Sequence, residues 1–292
     1  MSSPFSCSLI PSANLNAVKL LNAPKIAVYS PKTKQPWDDA VTLVLTYAEI
    51  PYDVIFDDEV LGGKLLEYDW LHLHHEDFTG QYGKFYSSYA SAPWYQAEVA
   101  EAEAMAAKHG FASNRELKLA VVKKIRDFML GGGFLFAMCS ATDSYDIAMA
   151  AEATDICESM FDGTPADPEA QSKLNFNNCI AFKDFALNMD PYFYEFSNID
   201  INPRTRVVTE ENDLFTLFDY SAKWDLIPSI LCQNHTKTIK GFMGQTTAYQ
   251  SHLVRSDVLV MGENALLNEA RYIHGEFGKG TWTFFGGHDP ED

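Results

Sequence analysis

The sequence predicts an α/β fold: a doubly wound, mostly parallel sheet that carries a β-rich insertion. Three observations lead to it. Short apolar segments alternate with segments of helical period through the first half of the chain. A fully apolar stretch, FLFAM at 134–138, runs directly into small residues and then a helical pattern. The strand texture returns at the C-terminal end, after a region of different character.

Element by element, KIAVYS from Lys25 reads as a buried strand. PWDDAVTLVLTYAEI reads as a helix opened by Pro36, with Asp38 and Asp39 suited to the positive end of a helix dipole. YDVIFDDEV is the next strand, which completes a βαβ unit. YDWLHLHH is a short strand, FTGQYGKFYSSYASAPWY an aromatic, glycine-containing loop, and QAEVAEAEAMAAKHG a helix that ends at Gly110. Ser113 and Glu116 form a capping box for a second long helix, in which Leu117, Val121, Ile125 and Phe128 recur at helical spacing until the glycines at 131–133. After FLFAM, CSATDS is expected to be a tight turn and DSYDIAMAAEATDICESM a helix.

Beyond the Pro/Asp-rich loop DGTPADPEAQSK come short aromatic segments such as YFYEF and LFTLFDYSAKW, read as a β-rich insertion over about residues 165–250. DVLVMG, EARYIHGEF and TWTFFGGH are the closing strands, with GKG as a hairpin turn between the last two. The expected organisation is one domain over residues 25–292, preceded by a leader or truncated segment at 1–24.

A net charge of -18 argues against a nucleic-acid partner, since a phosphate backbone is repelled by an acidic surface. No run of about twenty apolar residues is present to span a membrane. Five cysteines without a CxxC pair read as free thiols. The expected partner is a small molecule, and no cofactor motif is seen. The compartment stays open between cytoplasm and export, the latter if a signal segment is missing from the N-terminus.

Two stretches bear chemistry. WLHLHHEDF gathers His72, His74 and His75 beside Glu76 and Asp77, although the chain has only eight histidines. His72, His74, Glu76 and Asp77 are ligand types for zinc or iron, at a period that would put both histidines on one face of a strand, but no HExxH or CxxC motif accompanies them. The acidic DGTPADPE lacks calcium-loop spacing and reads as a solvated loop.

The second stretch is AMCSA. Cys139 sits where a strand meets a helix, with Ala137 and Ala141 two positions to either side, as a sharp elbow requires. A helix N-terminus favours the thiolate, which makes Cys139 a candidate nucleophile; the alternative is a buried cysteine that fills space.

AMCSA, together with GGHDPED at the end of the last strand, resembles the class I glutamine amidotransferase-like family, in which a strand ends in a G-x-C-x-G elbow and a late strand ends in H-x-E. KIAVYSPK, PWDDAV, HLHHEDFTGQYGKF, FAMCSATDS and KGFMGQTT resemble bacterial proteins labelled asparagine synthetase B, from about residue 15 to the end. The elbow has alanines in place of glycines, and Glu291 follows His288 by three residues instead of two, so Asp289 is a second candidate for orienting the ring. Ser2 stands where an N-terminal catalytic cysteine would follow Met1, and no SGGxDS-like ATP loop is present, so this chain alone is not a complete asparagine synthetase. The GKGTWTFFGGH ending also resembles trehalose-utilisation-type members of the superfamily.

The resemblance implies a flavodoxin-like sheet and a hydrolase or amidotransferase-like activity on a small carboxamide or other C–N bond, through a thioester. Cys139 would attack, His288 would carry the proton, and Glu291 would orient His288. Substrate-binding or oxyanion roles fall to His74, His75, Glu76, Asp77, Ser140 and Asp143, with the insertion as a roof. A synthetase or another protein partner would receive released ammonia. The alternatives are a non-catalytic binding or interaction module on the same fold, or a metal-dependent hydrolase that uses HLHHED.

Overall fold

A computed structural model describes residues 23–31, 40–201, 209, 213–217, 238–241 and 246–287. Strands β1 (Ile26–Tyr29), β2 (Tyr52–Ile55) and β3 (Trp70–Leu73) are short and are separated by helices α1 (Ala40–Tyr47) and α2 (Asp57–Leu61). Then follow α3 (Tyr86–Tyr89), α4 (Pro93–Lys108), α5 (Asn114–Gly131), β4 (Phe134–Met138) and α6 (Ser140–Ala150). Short helices α7 (Ser159–Asp162) and α8 (Ala170–Lys173) precede β5 (Leu214–Leu217), β6 (Thr238–Lys240) and β7 (Tyr249–Gln250). The chain closes with β8 (Leu259–Asn264), β9 (Glu269–Phe277) and β10 (Gly280–Phe285).

One sheet runs in the order β2-β1-β3-β4-β10-β9-β8-β5-β6, with β7 pairing β9. The five strands from β2 to β10 are mutually parallel. Every pairing from β10 outward is antiparallel. The parallel core is as the sequence pattern predicts, and the extension follows from the two-residue turn after β9, which joins only antiparallel neighbours. β10 therefore pairs parallel to β4 on one side and antiparallel to β9 on the other.

Register puts Ala27, Leu71, Leu135 and Trp282 in one row, and Leu73, Ala137, Phe284 and Ile273 in another. These residues form one buried core with Val121, Val122, Ile125 and Met129 of α5 and Tyr145 of α6. Gly275 faces Trp282 across the β9/β10 pair, where an added Cβ would lie 2.5 Å from the indole, so only glycine leaves room for that ring. Among the described residues no helix is long and apolar enough to cross a membrane.

Several boundaries differ from expectation. The strand predicted over 52–60 stops at Ile55, and Asp57, Asp58 and Glu59 instead form the first turn of α2, where Glu59 accepts the Phe56 N–H at 3.0 Å. The six-residue turn CSATDS is not a turn: α6 begins at Ser140, directly after the elbow. The helix predicted to run through Met160 ends at Ala150; further on, Asp155 folds its carboxylate onto the Cys157 N–H at 2.9 Å, a turn that competes with helix. α4 starts at Pro93, inside the predicted loop. The start predicted at Pro36 for the first helix lies outside the described residues.

Among the described residues of the insertion, strand structure is partial. Residues 165–201 form turns, α8, a 3-10 turn at Phe176–Asn178 and isolated bridges, while β5 and β6 extend the main sheet and form no separate layer.

One buried polar cluster pins α5 to α2. The Lys118 ammonium lies 3.0 Å from both Asp57 carboxylate oxygens and 2.9 Å from the Tyr29 hydroxyl, which itself donates to Asp57. Removing one member of a buried pair strands the other. Lys118→Met is expected to lose about 3–5 kcal/mol in urea unfolding, and Lys118→Met combined with Asp57→Asn to recover part of that loss.

Candidate active site at the carboxyl end of β4

Cys139 joins β4 to α6 with φ 50° and ψ -138°, outside the three regions open to L-residues. Ala137 and Ala141 are fully buried on either side, so the sharp reversal is possible only with small neighbours. The Cys139 N–H donates to the Phe285 carbonyl at 3.2 Å, which ties the elbow to the end of β10. Its own carbonyl accepts from the Thr142 N–H and, at 2.6 Å, from the Thr142 hydroxyl. Cys139 is only 1% exposed, enclosed by these elements. A non-glycine residue held at such angles costs about 1–3 kcal/mol. Cys139→Gly should therefore unfold at higher urea than Cys139→Ala, by about 1 kcal/mol or more, although both remove the thiol.

The HHED loop lies against α6. The Ser140 hydroxyl donates to the His75 carbonyl at 2.8 Å, the Ser144 hydroxyl donates to the Glu76 carbonyl at 3.0 Å, and Ser144 accepts from the Phe78 N–H at 3.2 Å. Glu76 turns back to accept the His74 N–H at 2.9 Å, and the Nδ1 atoms of His74 and His75 meet at 2.9 Å. Asp77 serves the loop itself: its carboxylate accepts from the Thr79 N–H and hydroxyl and from the Gly83 N–H, while burial raises its pKa above the usual carboxylate range.

His72 faces the other side of the sheet, stacked on Phe136 at 5.7 Å. β3 ends at Leu73, so His74 lies just beyond the strand that carries His72. Among the described residues the group of three whose ligand atoms all lie within 4.8 Å of one another is Asp155, Cys157 and Asp162, not one drawn from the histidine set. In that group the Cys157 thiol donates to the Thr79 carbonyl, Arg115 stands 3.7 Å from Asp155, and both carboxylates accept protein hydrogen bonds.

Asp143, one turn into α6, accepts the Thr246 hydroxyl at 2.9 Å. The Thr246 carbonyl receives the Gly287 N–H at 2.7 Å. The next two N–H groups, of Thr247 and Ala248, donate to Asp200 at 2.9 and 3.0 Å. Segment 246–248 thus links the buried Asp143 of α6 to the buried Asp200 of the insertion. Burial pushes the Asp143 pKa up to about 7 against the bond from Thr246, and the Asp200 pKa rises well above its ordinary value through burial, with Asp143 adding to it. The phenols of Tyr249 and Tyr194 are pushed up by burial first, and both also sense Cys139.

The raised pKa of Asp143 lies above its unfolded value, so the folded chain binds the extra proton; stability from this group is full at about pH 4 and is lost as pH rises through about 7. Asp143→Asn keeps the acceptor and cannot ionise. Its stability relative to the parent should climb steadily between about pH 4 and pH 8 in urea titrations.

Of the predicted site residues, Cys139, Ser140, Asp143, His74, His75, Glu76 and Asp77 belong to the two elements that meet here, whereas His288 and Glu291 lie outside the described residues. Thr246, Asp200, Tyr194 and Tyr249 were not predicted. They come from the insertion and belong to no spaced motif; KGFMGQTT, which contains Thr246, and the aromatic segment YFYEF, which contains Tyr194, are the stretches singled out in the sequence that touch them.

No family model matches this chain, and no curated protein matches it. Among solved structures it is similar to the cytoplasmic protein STM3548 from Salmonella typhimurium, with 9% identity, 91% of this chain and 89% of that chain covered, and a TM-score of 0.44. It is also similar to the cytoplasmic protein STM1381 from Salmonella typhimurium LT2, at 11% identity, 91% and 89% coverage and a TM-score of 0.42. A protein of the GMP synthase kind from Thermoplasma acidophilum is similar at 7% identity, with 90% and 84% coverage and a TM-score of 0.40. Likeness this loose decides neither fold family nor function, and the asparagine synthetase B label finds no support in it.

Proposed function

We propose that this chain is a cysteine-dependent hydrolase or amidotransferase-like domain of the class I glutamine amidotransferase kind, acting on a small carboxamide or other C–N bond. The observation that carries this is the backbone of Cys139, held at positive φ between a parallel core strand and the first residue of the eleven-residue helix α6. Strain kept at such a position is characteristic of functional sites. Two further observations support the reading. The parallel strands have the order 2-1-3-4-10, the flavodoxin-like pattern if β10 is counted fifth, and the HHED loop follows β3 beside the switch point between β1 and β3.

In this mechanism the Cys139 thiolate attacks the amide carbon, and His288 delivers its proton to the departing nitrogen. The thioester is then cleaved by water, from which His288 takes a proton before returning it to the thiol. Glu291 or Asp289 orients His288. In the chain His288 follows Gly287, whose N–H is bonded to Thr246 beside Asp143. Ser140, Asp143, His74, His75, Glu76 and Asp77 shape the substrate side, with part of the insertion as the roof over a single domain of residues 25–292. No metal or organic cofactor takes part, and released ammonia passes to solvent or to a synthetase partner.

The test is iodoacetamide labelling read by mass spectrometry across pH, followed by ammonia release from a set of small carboxamides. Cys139 is expected to label at pH 7 faster than an ordinary thiol, and His288→Ala to lower turnover by roughly 10²–10⁴-fold. If Cys139 labels no faster than an ordinary thiol, the nucleophile reading fails and a binding module on the same fold takes its place. Loss of activity on chelation would instead favour the metal-dependent alternative.

A further inference from the structure

A cleft of about 550 Å³ opens between the segment from Lys84 to Tyr89 and the segment from Tyr192 to Glu195. The thioester chemistry makes no use of it. Phe85, Tyr89, Tyr192 and Tyr194 line it, and the Phe85 ring lies 5.8 Å from Tyr194, 6.1 Å from Tyr89 and 6.1 Å from Trp94. Tyr89 and Trp94 are 5.1 Å apart. These rings are not sealed into a core: Tyr192 is 62% exposed, Tyr89 and Trp94 44% each, and Tyr194 43%.

Lys84 lies in the cleft floor, 1% exposed, and its ammonium donates to the carbonyls of Asn188, Asp190 and Glu195 at 2.6, 3.3 and 3.1 Å. It is a clamp between the two walls, its three donors spent on the protein. Glu195 lines the cleft beside it, and the chain as a whole carries -18. Aromatic faces are negative at their centres and acidic surroundings add to that field, so the cleft combines two features that favour positive charge. An anion would be repelled. A neutral apolar group would gain from the rings alone.

We infer that this cleft binds an organic cation, an alkylated ammonium group seated against the rings of Tyr89, Tyr192 and Tyr194. The inference goes beyond the thioester reading and does not depend on it.

Tetramethylammonium is the probe, titrated into the full chain by calorimetry or NMR, with tert-butanol as the neutral counterpart of similar size. Saturable binding on the order of millimolar is expected, weakened by added salt and stronger than that of tert-butanol. Tyr89→Leu and Tyr192→Leu should each weaken it roughly two- to thirtyfold, while Tyr192→Phe, which keeps the aromatic face, should retain it. Thermal unfolding of each variant identifies any that fail to fold, and the exposed position of Tyr192 makes its pair of variants the deciding one. No saturation in the range where a millimolar site fills, equal binding of tert-butanol, or unchanged affinity in the folded Tyr192→Leu variant overturns the inference. The titration reads no turnover, so its failure would leave the thioester reading standing.

Discussion

Two serine hydroxyls on one face of α6 determine where the rest of the candidate site lies. Ser140 and Ser144 are four residues apart, one helical turn, and they meet the successive carbonyls of His75 and Glu76. Each bond is worth only about 1 kcal/mol net. Their weight lies in position, because they fasten the loop after β3 to the helix that begins at the elbow. From that loop the constraint passes onward: Asp77 holds Thr79 and Gly83, the left-handed run Tyr82-Gly83-Lys84 aims the Lys84 ammonium, and Lys84 gathers the 188–195 segment. Elbow, histidine loop and aromatic cleft are therefore one mechanical unit.

Buried carboxylates play a comparable part on the other side of α6. Asp146 accepts N–H bonds from Ile180, Ala181 and Phe182 at 2.9, 2.8 and 2.8 Å, and Asp200 accepts those of Thr247 and Ala248. These N–H groups belong to segments with little regular structure, so without the acids several backbone donors would be buried and unsatisfied. Desolvation still outweighs the bonds, and the Asp146 pKa is pushed up to about 6. An acidic chain here uses carboxylates as acceptors for irregular backbone, at the cost of holding several of them above their usual pKa.

The sequence was most informative where side-chain pattern and backbone geometry coincide. FLFAM, EARYIHGEF and TWTFF are strands because their apolar residues can be buried only in a sheet, and Ser113 does cap α5, accepting the Glu116 N–H at 3.3 Å. Legibility failed where short-range chemistry competes. Asp57 to Glu59 followed an apolar strand closely enough to be absorbed into it, although three acids in succession suit a helix start better. At the site, small residues on both sides of Cys139 disclosed the elbow, whereas Thr246 meets Asp143, and Asp200 meets the segment that follows Thr246, only through tertiary folding of the insertion. No local spacing encodes that approach.

The position of β10 has a consequence for how the chain is made. This strand lies in the middle of the sheet, between β4 and β9, yet it is the last strand among the described residues. During synthesis β4 must wait with one edge bare until β10 emerges, on the order of ten seconds at ~5–20 residues per second. That edge belongs to FLFAM, five apolar residues without a charge. An unpaired apolar edge is a template for wrong pairing. The nascent chain therefore passes through an interval in which its main hazard is aggregation, and chaperone dependence should be greatest there.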